Sequence, residues 1–275
     1  MKYTIGNLTL NVEEQGTGEP SLLFLHYWGG SLRTWNKVVE RLQSSFRCIA
    51  YDMRGWGQSD APENGYSISD LADEAASLIR VLGLTRFVLV GHSMGGKVAQ
   101  LLASRRPAGL EGVVLVAPAT PTPTRFSEEM REGQIHAYDS RETVLQAVQF
   151  LSARSPAPDV LEQIVEDSLR GSPQAKRAWP TSAILEDISK EVPNIAVHTL
   201  VVAGELDRLD SVEQHRREVL GRIPGAAMEI VNGSGHLVPI DEPDQLASAI
   251  ARFVTRLNGT QLSGWDQAAK HPQST

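Results

Sequence analysis

The feature that most constrains this chain is the run Arg86-Phe87-Val88-Leu89-Val90-Gly91-His92-Ser93-Met94-Gly95-Gly96. A short apolar, β-branched stretch leads directly into Gly-His-Ser-Met-Gly, and a helical pattern begins at once behind it. A buried strand that turns sharply into a helix has little room for side chains at the turn. Glycines at 91 and 95 remove the Cβ atoms that would clash there, and Gly96 extends the clearance into the first helical turn. A serine held at such a corner is exposed on the carboxyl edge of a sheet, with a helix N-terminus beside it. Ser93 is therefore the candidate nucleophile.

With 275 residues, 41% hydrophobic and 21% charged, the chain has enough apolar material for one large core plus an insertion. Its formal charge of −7 is spread along the sequence without a basic stripe, which argues against nucleic acid as a partner and, more mildly, against anionic membranes. No apolar segment reaches spanning length, and residues 1–6 carry no signal-like apolar stretch, so the expected location is cytoplasmic. The single cysteine, Cys48, lies in an apolar run and reads as core; it offers neither a disulfide nor a metal site. His136, His198 and His215 lack metal-ligand spacing, so neither a metal nor a cofactor is expected.

Strand patterns occupy residues 2–5, 8–14, 22–25, 48–51, 87–90, 113–116, 199–203 and 228–231. Helical periodicity falls at 34–43, 69–82, 94–105, 212–222 and 243–257. Continuous apolar strands interleaved with helices predict an α/β fold: a mostly parallel eight-stranded sheet covered by helices on both faces. The alternation stops after the sixth strand. Residues 118–198 turn to Pro and Thr and then to amphipathic helical stretches at 127–137, 141–151, 159–169 and 173–178. The expected organisation is a core of residues 1–117 and 199–257, a helical cap at 118–198, and a polar tail at 258–275 that is poorly ordered or loosely docked.

A serine hydroxyl becomes a useful nucleophile when a base takes its proton, and an imidazole serves as that base when a third group fixes its tautomer. His236 follows the last strand in Asn232-Gly233-Ser234-Gly235-His236, and Asp207 follows the preceding strand in Gly204-Glu205-Leu206-Asp207. Both stand at strand ends, in the chain order Ser, Asp, His that a strand–turn–helix nucleophile requires. Asp210 is the alternative acid. The developing oxyanion needs two donors: the backbone N–H of Met94, directly after the nucleophile, and that of Trp28, in His26-Tyr27-Trp28-Gly29-Gly30 after the third strand. The Trp28 indole is also placed to wall the acyl pocket. His26 reads as a loop brace, Asp52 and Arg54 as loop-fixing residues, and His92 as pointing away from the nucleophile.

Together these residues resemble the α/β-hydrolase superfamily, specifically its capped, esterase-like and lactonase-like members, over about residues 2–257. The resemblance includes Asp52-Met53-Arg54-Gly55-Trp56-Gly57-Gln58-Ser59, similar to the family's D-x-R-G-x-G-x-S loop, and Gly235-His236 followed by Glu242-Pro243. Two positions depart from it. Tyr27 stands where the family usually has glycine, and Ser211 where it often has proline. The resemblance implies the α/β-hydrolase fold and a cofactor-independent serine hydrolase that cleaves small to medium carboxylic esters or lactones through an acyl-enzyme. The same three residues also suit carbon–carbon bond hydrolysis or perhydrolysis, and a low-turnover ligand receptor is the rival from another class. Leu237, Val238, Phe126 and Trp179 are the expected substrate-pocket residues. The cap has no cluster of basic residues, which points to neutral or modestly polar esters. A homodimer is the default assembly.

Overall fold

The structure is a computed structural model and describes residues 1–259. Eight strands form one sheet: β1 (Lys2–Ile5), β2 (Leu8–Gln15), β3 (Ser21–Leu25), β4 (Cys48–Tyr51), β5 (Phe87–His92), β6 (Leu110–Val116), β7 (His198–Gly204) and β8 (Ala227–Val231). Their spatial order is β1-β2-β4-β3-β5-β6-β7-β8. Only the pairings β1–β2 and β2–β4 are antiparallel. From β4 to β8 every pairing is parallel, which aligns the carboxyl ends of β3, β5, β7 and β8 along one edge.

Alternation within each strand divides the core into two layers. Leu22, Phe24, Val88, Val90, Val114, Val116 and Val202 face α1 (Asn36–Leu42) and α10 (Pro243–Gly259), where Val38, Leu246, Ile250 and Phe253 meet them. The intervening residues Leu23, Leu25, Leu89, Val113, Leu115 and Val201 face the opposite way, towards α2 (Ile68–Val81) and α3 (Met94–Ser104). Strands buried on both faces lack polar alternation for this reason. Cys48 belongs to the first layer and is a buried free thiol.

Two helices depart from the sequence pattern. The one expected at 34–43 opens as a 3-10 turn, Leu32–Trp35, before α1 begins. Ser31 caps this turn through Arg33 N–H, and Asp52 accepts Leu32 N–H at 2.8 Å, so the chain is held tighter than an α-helix would allow. The segment expected at 212–222 is a short α-turn, α8 (Val212–Gln214), that widens into a π-helix at His215–Leu220. Helix α10 continues to Gly259; the rest of the expected tail, residues 260–275, lies outside the described residues.

Between β6 and β7 the chain leaves the sheet and forms α4 (Glu128–Ile135), α5 (Arg141–Leu151), α6 (Pro158–Arg170) and α7 (Pro173–Thr181). Short 3-10 turns at Ala183–Leu185 and Val192–Asn194 lead back to β7. Helix α9 (Val238–Asp241) lies just before α10. Among the described residues no helix is long and apolar enough to cross a membrane.

Candidate active site

Strand β5 delivers Ser93 to the carboxyl edge as the cap residue of α3, with φ 51° and ψ −113°. A left-handed serine costs of order 1–3 kcal/mol and persists only where its surroundings fix it. Here Ser93 N–H donates to Val116 C=O, while Ser93 C=O accepts from Lys97 and Ala119 N–H. The glycines supply the space. A Cβ on Gly91 would stand 2.4 Å from Gly95 O, and one on Gly95 2.5 Å from Leu25 O.

The loops after β7 and β8 bring two further groups to Ser93. His236 Nε2 lies 2.9 Å from Ser93 Oγ, and Nδ1 lies 2.8 Å from Asp207 Oδ2. An ionised carboxylate only accepts, so Nδ1 carries the proton and Nε2 presents its lone pair to the serine hydroxyl. The other Asp207 oxygen accepts N–H bonds from Leu209 (2.8 Å) and Asp210 (3.0 Å). All three side chains are buried. Burial works against ionising Asp207, but the His236 charge and the two N–H donors outweigh it and hold the carboxyl below its ordinary value. For His236 burial likewise opposes protonation; Asp207, with Asp210 and Asp241 further off, raises the imidazole above 6.5. Asp210 does not bond to His236; its Oδ1 accepts from Gln214 Nε2 at 2.7 Å.

The loop carrying His236 is itself braced. Its N–H donates to Leu151 C=O at the end of α5 (2.7 Å), and its C=O accepts from His92 Nε2 (2.8 Å). Asp241 accepts N–H bonds from Gly235 (2.7 Å) and Ala153 (2.9 Å). His92 thus points away from Ser93, as its place in the turn predicts, yet it supports the main chain of His236. Burial, first of all, pushes its pKa down to about 3, so it stays neutral.

Across the site, the loop after β3 is set by His26. Its Nε2 accepts from Met53 N–H (3.1 Å), which leaves Nδ1 to donate to Tyr27 C=O (2.7 Å). In a planar trans peptide the Trp28 N–H then points to the side away from His26. Met94 is the first residue of α3, so its N–H has no carbonyl partner within the helix. Neither of these N–H groups donates to a turn or loop acceptor among the described residues. The Met94 side chain is buried in the core, which leaves its backbone as the group available to the site. Tyr27 fits because the left-handed conformation falls on Gly29 (φ +95°) instead, and the Tyr27 ring packs on His92 at 5.1 Å. Asp52 and Arg54 fix the neighbouring loop: Asp52 accepts from Asn11, Leu32 and Gln58, and Arg54 pairs with the buried Glu74 at 2.7 Å.

Above Ser93 lies a cavity of about 420 Å³ between the sheet edge and the helical insertion. Phe126 and Trp179 line it, as does Trp28. Leu237 and Val238 do not. Both are fully buried, and α9 turns Val238 into the layer beneath α1 and α10, so adjacency to His236 in sequence does not become adjacency in the cavity. Tyr138, which the sequence does not single out, lines the wall: its hydroxyl donates to Trp28 C=O (2.8 Å) and its ring packs at a tilt against Trp28, 4.4 Å between centroids. The side-chain-free Gly29 was the one available hint of a close approach, since a Cβ there would lie 2.3 Å from the Tyr138 ring. Among the described residues no group of three or more His, Cys, Asp or Glu is placed to hold a metal ion.

The chain as a whole is similar to known proteins. A family model described as the alpha/beta hydrolase family matches residues 22–249. The chain belongs to this family. Among its relatives, 2-(acetamidomethylene)succinate hydrolase of Mesorhizobium japonicum is 30% identical over 264 residues, 92% of this chain and 94% of that protein. The 3-oxoadipate enol-lactonase 2 of Acinetobacter baylyi is 24% identical, over 93% of this chain and 96% of its own length. Of solved structures, a thermophilic esterase from Thermogutta terrifontis superposes on this α/β hydrolase with a TM-score of 0.80 at 26% identity, covering 94% of this chain and 98% of the esterase.

Proposed function

We propose that the chain is a serine hydrolase acting on neutral, small to medium carboxylic esters or lactones through an acyl-enzyme. The observation that carries this reading is the hydrogen-bonded series Ser93–His236–Asp207 at the floor of the cavity. His236 Nε2 takes the hydroxyl proton as Ser93 Oγ attacks the carbonyl carbon. Asp207 supports the imidazolium that results, and the N–H groups of Trp28 and Met94 face the oxyanion. His236 then passes the proton to the departing alkoxide. Water, deprotonated by the same ring, attacks the acyl-serine and releases the acid. For a lactone the alcohol and acid are the two ends of one product.

The wall favours uncharged substrates. Aromatic and aliphatic side chains make most of it, and neither lysine nor arginine is among the described lining residues. A dicarboxylate such as the succinate in the name of the Mesorhizobium relative would find no cation there. Ser93→Ala is expected to keep the native circular dichroism and to retain under about 1% of the wild-type rate on p-nitrophenyl butyrate. A variant that keeps more than a few per cent, about 5% or above, contradicts the assignment.

A further inference from the structure

Asp210 is the one carboxyl group among the described residues that line the cavity, and it has no part in the serine–histidine–aspartate series. The side chain is buried, with the residue only 6% exposed. Its N–H is used on Asp207, and its Oδ1 is used by Gln214. The other oxygen has no hydrogen-bond partner, and the residue borders the cavity beside Leu209 and His236. The nearest basic lining group on the insertion side is His136 at the rim, whose ring nitrogens are already engaged by Asp139 and Glu132. The cavity therefore presents a half-satisfied carboxyl on the same wall as Ser93 and His236, with no lysine or arginine among the described lining residues to pair with it.

We propose that Asp210 sets the charge specificity of this cavity: its carboxylate turns away substrates that carry a free carboxylate beside the scissile bond and leaves neutral esters and lactones as the accepted class. This rests on the serine-hydrolase reading above. Two like charges in a desolvated pocket repel far more than in water, because neither solvent nor a cation screens them. Burial, reinforced by Asp207 and partly offset by His236, pushes the Asp210 carboxyl up to about 7, so it is ionised in mildly alkaline solution. Sequence context alone could not reveal this role; Asp210 stood out there only as a competitor of Asp207 for His236.

The test compares two p-nitrophenyl ethyl phosphonates of equal chain length at pH 8.5, one ending in methyl and one in carboxylate. In each case Ser93 Oγ bonds to phosphorus, p-nitrophenolate leaves, and His236 receives the serine proton, so one coloured product is released per labelled site. The wild type is expected to react about 30-fold or more faster with the neutral reagent. Asp210→Asn should narrow that ratio about tenfold or more, by speeding the anionic reagent relative to the neutral one. Asp210→Leu, which cannot bond Gln214, should give the same relief and separates charge from the hydrogen bond. A ratio that narrows by less than this in both variants overturns the charge filter. If the folded wild type is labelled by neither reagent, the nucleophile assignment itself falls, which distinguishes the two failures.

Discussion

At the scale of single residues the site depends on which nitrogen of each histidine carries a proton. His236 must be neutral at Nε2 to accept from Ser93, and its folded pKa lies above 6.5 because Asp207 favours the charged ring more than burial disfavours it. The rate on a neutral ester should therefore fall on acidification with a midpoint above 6.5, while Asp207, held low, stays ionised throughout that range. A kcat/KM profile between about pH 5 and 9 checks this; a flat profile, or a midpoint near 5, contradicts the role given to His236. The proximity of Ser93, Asp207 and His236 was legible in the sequence because each sits at a strand end, where local pattern fixes position. Leu237 and Val238 misled because a four-residue helical turn redirects them into the core. Tyr138 carries no local signal and Asp210 only that of a second acid after β7; that both line the cavity follows from the closure of the insertion over the sheet edge.

Among elements, the turn from β5 into α3 is the most demanding piece of backbone. Gly95 packs against the carbonyls of Leu25 and His26 at the end of β3, and backbone cannot yield as a flexible side chain can. Gly95→Ala is expected to lower unfolding free energy by about 2–3 kcal/mol in urea titration. Gly83, at the end of α2 with φ +63° and open space around its Cβ position, needs only a left-handed conformation, and Gly83→Ala should cost about 1 kcal/mol. Equal effects from the two would mean that the tight approach of α3 to β3 is not what these glycines serve. Periodicity gave the helices and strands themselves, but not the π-helix at His215–Leu220 or the 3-10 entry to α1, where Asp52 reaches back to accept Leu32 N–H.

For the molecule as a whole, the insertion does more than roof the cavity, because it is bonded to both loops that flank Ser93. Tyr138 and Ser168 donate to the carbonyls of Trp28 and Gly29, and the Trp28 indole donates to Lys176 C=O. On the other side, Leu151 C=O holds His236 N–H, and a Cβ on Gly235 would stand 2.5 Å from that same oxygen. The parallel α/β class was readable from apolar strands alternating with helices; the strand order and these bridges were not, since they join residues 110 or more positions apart in some cases. In the proposed mechanism these parts meet in one step, the formation of an ester bond to Ser93. Acid quench during steady turnover of p-nitrophenyl butyrate, followed by peptide mass spectrometry, tests this most directly. The proposed mechanism predicts a butyryl group on the peptide that contains Ser93, absent in Ser93→Ala; sustained turnover with that peptide unmodified, and with Ser93→Ala as active as the wild type, would contradict it.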